Sequence, residues 1–380
     1  MTMKIGVIGC GNISDIYLIN APKFRDTVVT ACADLNPEAA TRQATKYGVA
    51  ALSVDELLKS EDVDVVLNLT IPDAHADVSL QAIDAGKHVY SEKPLATSLT
   101  AGEKILAAAR AKNLRVGCAP DTVLGAGYQE ARALIDAGAI GRPLIGLAAI
   151  LSHGMEHWHP NPTFFFKPGG GPVFDMGPYY LSGLVTLLGP VAEVQAVGQI
   201  AFAERVVTTP GSSILGQAIK VETLTSVQAL LSFASGAQIT FLASWDVWRH
   251  GLSHIELHGE TGSMRLPDPN FFAGEISIAE GRADWRQHGV EARAFGVANW
   301  PLQTPRNSNY RGLGLADMAR GIMDDRPHRA SGDVALHVLA IMEGVLCAAV
   351  ERKTVAVGAS CERPMALSSE EGAGLLAEVG

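Results

Sequence analysis

Between residues 4 and 118 short apolar runs alternate strictly with segments that carry helix-start and helix-stop signals. Lys4–Ile8, Val28–Ala33, Val63–Leu69, His88–Ser91 and Arg115–Cys118 are the strand candidates. Between them, Asn36-Pro37 offers an N-cap and a proline at the first helical position, and Ser53-Val54-Asp55-Glu56 has the pattern of a capping box. Thr100-Ala101-Gly102-Glu103 reads as the cap of an alanine-rich helix, and Gly86 stops the helix that ends at Ala85. Val63–Leu69 is almost continuously apolar, which a strand covered on both faces requires. Strands joined through helices in this way lie parallel, so the first third predicts a doubly wound Rossmann sheet.

After residue 122 the rhythm changes. One further helix, Gly127–Ala137, closes at Gly138; strands then dominate. Val221–Phe233 and Ala237–Ser244 flank a Ser235-Gly236 turn, and His254–His258 and Ser263–Leu266 flank Gly259–Gly262, both reading as antiparallel hairpins. Alternation of Val227, Ala229, Leu231 and Phe233 places one face of that sheet in a core. Two helical stretches, Gly314–Arg320 and Asp333–Val350, come late. The expectation is two domains: residues 1–122 bind a dinucleotide, and residues 123–380 form an α+β substrate domain with a large, open, mostly antiparallel sheet. An open sheet face predicts pairing with a copy of itself, hence a homo-dimer or homo-tetramer.

Composition removes several function classes. A formal charge of -10 with no basic run excludes general affinity for nucleic acid or an anionic membrane. Five scattered cysteines without C-x-x-C spacing indicate neither a disulfide framework nor a zinc cluster, which fits a reducing cytoplasm. The first strand begins almost at once, with no signal-peptide pattern before it, and no apolar run reads as long enough to span a bilayer.

The first turn, Gly6-Val7-Ile8-Gly9-Cys10-Gly11-Asn12-Ile13-Ser14, has the G-x-G-x-x pattern of a dinucleotide site. Gly9 permits the tight turn, Gly11 lets backbone approach a pyrophosphate, and Asn12 and Ile13 open the following helix. The next strand ends in Asp34, where a carboxylate grips ribose hydroxyls and repels a 2′-phosphate; with Leu35 beside it, NAD is expected in preference to NADP. Ligands of open α/β sheets gather at the carboxyl ends of the strands. Those ends read Thr70-Ile71-Pro72, with His75 just beyond, then Glu92-Lys93-Pro94 and Pro120-Asp121-Thr122. Lys93 is therefore expected to face the nicotinamide, with a pKa lowered by confinement, where it takes or relays the proton that leaves a carbinol.

Glu92-Lys93-Pro94, the preceding Ala85-Gly86-Lys87-His88-Val89 and the Thr70–His75 loop together resemble the glucose–fructose oxidoreductase / inositol dehydrogenase / rhizopine catabolism (Gfo/Idh/MocA) family. A second block, Gly169-Gly170-Gly171-Pro172-Val173-Phe174-Asp175-Met176-Gly177-Pro178-Tyr179, resembles that family's G-G-G-x-x-x-D-x-G-x-H signature. The resemblance covers nearly the whole chain. It departs where the frequent histidine is Tyr179 and an aspartate three residues on is Ser182. It implies an NAD(P)-dependent oxidoreductase that transfers hydride between the cofactor and a sugar, cyclitol or related polyol. Lys93 and Tyr179 would form its proton-transfer pair, with Asp175 holding the substrate. Tyr180 competes with Tyr179, and motif spacing selects the latter.

The stretch His153–Pro162 is dense in polar and aromatic residues. His157, Trp158 and His159 are read as substrate contacts, together with Asp121 and Thr122. His153, Glu156, His157 and His159 could instead be metal ligands, but H-x-H in a loop is a poor signal, and no metal is expected. Phe164-Phe165-Phe166 is expected beneath the pocket or at an interface. Two rival functions remain on the same fold: an NAD-dependent glycoside-cleaving enzyme, and a non-catalytic dinucleotide-binding sensor.

Overall fold

The computed structural model describes residues 2–299 and 308–377. The first unit runs β1 (Met3–Ile8), α1 (Ser14–Asn20), β2 (Thr27–Ala33), α2 (Pro37–Tyr47), β3 (Ala50–Leu52), α3 (Val54–Lys59), β4 (Val65–Asn68), α4 (His75–Asp84), β5 (His88–Ser91), α5 (Leu99–Ala111) and β6 (Val116–Cys118). Its six strands are parallel in the order β3-β2-β1-β4-β5-β6. The apolar run through β4 has a direct cause: Val66 packs into one core while its neighbours Val65 and Leu67 pack into another on the opposite face. Local signals act as read at two helices. The Asn36 side chain accepts from Glu38 N, and Ser53 and Glu56 form a reciprocal capping box. At α5 the cap is Ser98 rather than Thr100; its hydroxyl accepts from Ala101 N, and Thr100 sits inside the first turn.

The second unit runs α6 (Ala126–Asp136), β7 (Pro143–Leu151), α7 (Gly171–Leu188), β8 (Val191–Gln199), β9 (Glu204–Val206), β10 (Ala218–Lys220), β11 (Ser226–Phe233), β12 (Gln238–Ser244), β13 (Ile255–Gly259), β14 (Gly262–Leu266), β15 (Ile276–Glu280), β16 (Arg286–His288), α8 (Leu313–Met323), α9 (Gly332–Glu351), β17 (Val355–Ala356) and α10 (Ser369–Leu375). Nine of these strands form one sheet, ordered β16-β15-β14-β13-β7-β12-β11-β8-β17. It is mostly antiparallel, but its centre is not: β12 pairs with β7 in parallel. The strand expected at Val221–Phe233 begins only at Ser226, because residues 221–225 leave the sheet and Val221 N donates to Ala203 O beside the separate β9–β10 hairpin.

Two late helices tie the units together. On α8, Leu313, Ala316, Met318 and Ala319 join the same core as Val7 and Tyr17, so the chain returns to the first sheet after building the second. By contrast with the sequence reading, α9 is long and apolar enough to cross a bilayer by length and composition. Its apolarity serves packing here: Val338, Leu339, Ile341, Met342 and Val345 are buried, and the helix lies against β8, α7 and α5.

Burial, not hydrophobicity alone, sets what each α9 residue contributes. Leu339→Ala removes a fully buried side chain and is expected to cost about 2–5 kcal/mol of unfolding free energy. Val350→Ala, on the same helix but 71% exposed, is expected to stay within about 0.5 kcal/mol of wild type. Urea unfolding of both variants measures the contrast.

Candidate active site

The carboxyl ends of β1, β2, β4, β5 and β6 converge, as a doubly wound sheet dictates. At the first, Gly9 has φ +103°, and a Cβ there would lie 2.6 Å from the Leu69 carbonyl. No other residue fits this turn. Gly11, Asn12 and Ile13 are exposed, and among the described residues their amides donate to no protein atom. Asp34, at the tip of β2, accepts from Cys10 N on Oδ2 and from Asn36 N on Oδ1, each at 2.8 Å. The carboxylate is thereby fixed against the glycine turn. Leu35 beside it is 95% exposed. Arg42 of α2 is near enough to this turn to act electrostatically on Cys10, a positive charge that Leu35 alone did not suggest.

At the end of β4, buried Asn68 shapes the following loop. Its Oδ1 accepts from Thr70 N and Oγ1, and its Nδ2 donates to His75 O and Ser79 Oγ. Thr70 and Pro72 line the open loop. His75 does not: it is buried, with Nδ1 2.7 Å from Pro94 O and Nε2 3.0 Å from Thr70 O. It braces the β4 loop against the β5 loop, a correction to its reading as a cofactor contact.

Lys93 follows β5 and reaches the second unit. Its Nζ donates to Asp175 O at 2.6 Å and to Asp175 Oδ1 at 3.1 Å. It also stands 5.2 Å from the centre of the Tyr179 ring. Asp175 and Tyr179 sit four residues apart on α7 and so share one face. Pro178 lies inside that helix and lacks the N–H that would bond to Phe174 O, which loosens the ladder next to the carbonyl Lys93 uses. Tyr180 is separated from this group: its hydroxyl lies 2.8 Å from His254 Nδ1.

Glu92 is buried, and both of its oxygens are occupied. Tyr17 Oη donates to Oε1 and Lys93 N donates to Oε2, each at 2.8 Å. Glu92 therefore anchors the Lys93 backbone rather than presenting a free carboxylate to the cofactor. Burial alone would depress the Lys93 ammonium. The Asp175 carboxylate, with Tyr179 and Glu92 beside it, outweighs that and holds the pKa above the ordinary lysine value, opposite to the sequence expectation.

A second cation completes the site. The Arg311 guanidinium faces Tyr179, Glu92 and Tyr17 and donates to Asn309 Oδ1 and Asn270 Oδ1. No sequence motif marks Arg311, Tyr17 or Asn68; only the fold brings them together. Conversely, Asp121 and Thr122 withdraw from substrate. Asp121 is buried and caps α8, its Oδ2 accepting from Gly312 N and Gly314 N at 2.8 and 3.0 Å. The Thr122 hydroxyl is sealed from solvent. In the 153–162 loop, both ring nitrogens of His157 face protein groups, at Thr208 and Glu156. His159 Nδ1 accepts from Asn161 N. Trp158 is 61% exposed, with its ring edge-on to His159. None of these three hydrogen-bonds to Lys93, Asp175 or Tyr179. Phe166 is fully buried against Trp245, whereas Phe164 is exposed.

Two parts of the candidate site are thus in place: a glycine turn of dinucleotide-binding pattern on one sheet and a lysine–aspartate–tyrosine group linking that sheet to the next unit. This is the architecture of a two-domain, nucleotide-dependent oxidoreductase. The chain belongs to the Gfo/Idh/MocA oxidoreductase family: residues 3–119 match its NAD-binding Rossmann fold and residues 128–265 its C-terminal domain. It is 33% identical to an inositol 2-dehydrogenase of Ralstonia nicotianae over 80% of this chain and 89% of that one. It is 28% identical to inositol 2-dehydrogenase 3 of Saccharopolyspora erythraea over 79% and 84%. Among solved structures, an NAD binding oxidoreductase from Klebsiella pneumoniae superposes with a TM-score of 0.78 at 25% identity, covering 94% of this chain and 99% of that one.

Burial raises the Asp121 carboxyl to about 6, although the Gly314 and Gly312 amides and Arg311 pull it down. The folded protein then binds this proton more tightly than the unfolded chain does. The associated stability is full below about pH 4 and is lost as pH rises towards 6. Relative to Asp121→Asn, wild-type unfolding free energy is expected to fall by up to about 3 kcal/mol between pH 4 and pH 7. Parallel urea titrations at those two pH values test the sign.

Proposed function

We propose that this chain is a dehydrogenase acting on a CH–OH group of a neutral sugar, cyclitol or related polyol, with NAD preferred over NADP. The observation that carries the reading is the Lys93 ammonium held between Asp175 and Tyr179 at the strand end beside the dinucleotide turn. Gly9–Ile13 and Asp34 would hold NAD by its pyrophosphate and ribose, and the nicotinamide so held would supply the hydride acceptor. The chain's own residues manage the proton. Lys93, kept as an ammonium, donates a hydrogen bond to the substrate oxygen and compensates the alkoxide that forms on it. Asp175 fixes the direction of that ammonium. Tyr179 has cations on two sides, Lys93 and Arg311, so negative charge developing on its oxygen is compensated as it takes the carbinol proton and gives up its own phenolic proton to solvent water. Both inositol dehydrogenase relatives support the cyclitol side of the substrate class. Asp34 supports NAD, because a 2′-phosphate would meet a carboxylate already locked in place by two backbone amides.

A panel of neutral sugars and cyclitols, read by NADH absorbance with NAD and NADP in parallel, tests this reading. Higher kcat/KM with NAD is expected. Lys93→Met is expected to lower kcat by about 10²–10⁴-fold while NADH still binds, and Tyr179→Phe to lower kcat by well over a few-fold. Full turnover in Lys93→Met would sink the mechanism.

We also propose a homo-oligomer built on the open face of the nine-stranded sheet. Ile145, Val197 and Leu230 are exposed on it, while α7 and α9 cover the opposite face. Leu230→Asp is expected to lower the mass measured by light scattering to that of a single chain. A cytoplasmic location fits five free cysteines, three of them buried, and cell fractionation checks it.

A further inference from the structure

Away from Lys93, the chain after β7 folds back on itself at Gly154. This residue has φ +50°, and a Cβ there would lie 1.9 Å from Glu156 Oε2. Only glycine lets the Glu156 carboxylate turn back towards His153. Glu156 is 2% exposed, and its two oxygens differ in circumstance. Oε1 accepts from Arg205 Nη1 at 2.9 Å, whereas Oε2 is buried with no donor. Two imidazole nitrogens share that condition: His153 Nδ1 and His157 Nε2 are buried and make no hydrogen bond. His157 Nε2 stands 3.4 Å from Glu156 Oε1 without hydrogen-bond geometry. One ligand atom from each of these three residues lies within 4.8 Å of the other two.

Each side chain is held from behind. His157 Nδ1 is 2.6 Å from Thr208 Oγ1, which leaves Nε2 directed inward. The amides of Thr208 and Thr209 donate to Glu156 O. The His153 ring stacks on Trp248 with centroids 3.4 Å apart. Arg205 donates to Glu156 and also to Asp246, so one guanidinium faces two carboxylates and the group keeps one net negative charge. Such orphaned buried groups are costly unless something positive lies among them. A proton on one imidazole satisfies one pair and leaves the other ring unpartnered. A cation shared by all three satisfies the set.

We propose that His153, Glu156 and His157 bind a divalent transition-metal ion, zinc being the probe of choice, with Thr208 and Arg205 orienting the ligands. This reverses the sequence expectation of no metal. Two imidazoles and one carboxylate form a ligand set that leaves a coordination position open. Ligand distances of about 2.0–2.1 Å put tetrahedral donors about 3.3 Å apart, so the set must contract on binding. His153, held by ring stacking on exposed Trp248 and by no hydrogen bond at Nδ1, is the ring that turns inward on binding. The ion would join the β7–α7 connection to the Thr208 segment over the small core of Met155, Phe166, Val207 and Trp245. It lies in the connection that leads to α7 and so to Asp175, without touching the Lys93 group.

The test is zinc titration of chelator-treated full-length protein by calorimetry, with elemental analysis after dialysis and cobalt substitution to report ligand geometry. Wild type is expected to hold one equivalent per chain. Glu156→Gln and Gly154→Ala are expected to weaken zinc affinity about 100-fold or more while circular dichroism stays native. If Glu156→Gln does not fold, His153→Ala, at a partly exposed ring, is expected to give the same loss. His159→Ala, outside the cluster, is expected to keep full binding. Zinc binding by wild type no tighter than by His157→Gln would overturn the assignment, as would an equal loss in His159→Ala.

Discussion

The contact between Lys93 and Asp175 joins residues 82 positions apart and closes the molecule around its chemistry. Its strength as a constraint comes from doubling: the ammonium bonds both the backbone carbonyl and the carboxylate of one residue. Lys93 therefore reads the position of the α7 backbone as well as its side chain. Glu92 sets the other end by accepting from Lys93 N, and Tyr17 sets Glu92. The chain of contacts runs from α1 through β5 to α7, and a shift in any member moves the Lys93 nitrogen.

Charge balance makes that arrangement tolerable. Lys93 and Arg311 are positive; Asp175 and Glu92 are negative. An isolated buried charge would be prohibitive, and a single buried pair roughly breaks even against its desolvation. Here three of the four ions also have hydrogen bonds from or to neutral groups: Tyr17 Oη and Lys93 N on Glu92, Asn309 and Asn270 on Arg311, and the Asp175 carbonyl on Lys93. The net result is an ammonium that stays charged in spite of burial. Confinement argued from sequence alone captured the desolvation and missed the anions, which only the folded chain assembles.

What was legible followed from local rules. Strand–helix alternation, the Asn36 and Ser53 caps, the glycine turn and the period of Val227, Ala229, Leu231 and Phe233 each reflect interactions within a few residues, or one face of one element. Lys93, Asp175 and Tyr179 were legible because two motifs carry them. The illegible parts depend on distant partners. Asp121 looked like a strand-end ligand, but residues 191 and 193 positions away supply the amides it caps. His75 looked free, yet two carbonyls from different loops confine its ring. The parallel pairing of β7 with β12 was illegible for a related reason: β12 alternates as an antiparallel strand does and sits in a mostly antiparallel sheet, so its partner is set by residues nearly a hundred positions away.

The loop after β7 shows the same limit in reverse. H-x-H spacing in a loop says little about whether its histidines are ligands. What bears on that question is the folded surroundings, not spacing. Gly154 turns the chain back on Glu156; Thr208, more than fifty residues on, orients His157; and Arg205 occupies only one oxygen of the carboxylate. A ligand set is defined by which lone pairs remain once every other demand is met. That remainder is computed by the fold, from residues that no motif in the loop contains.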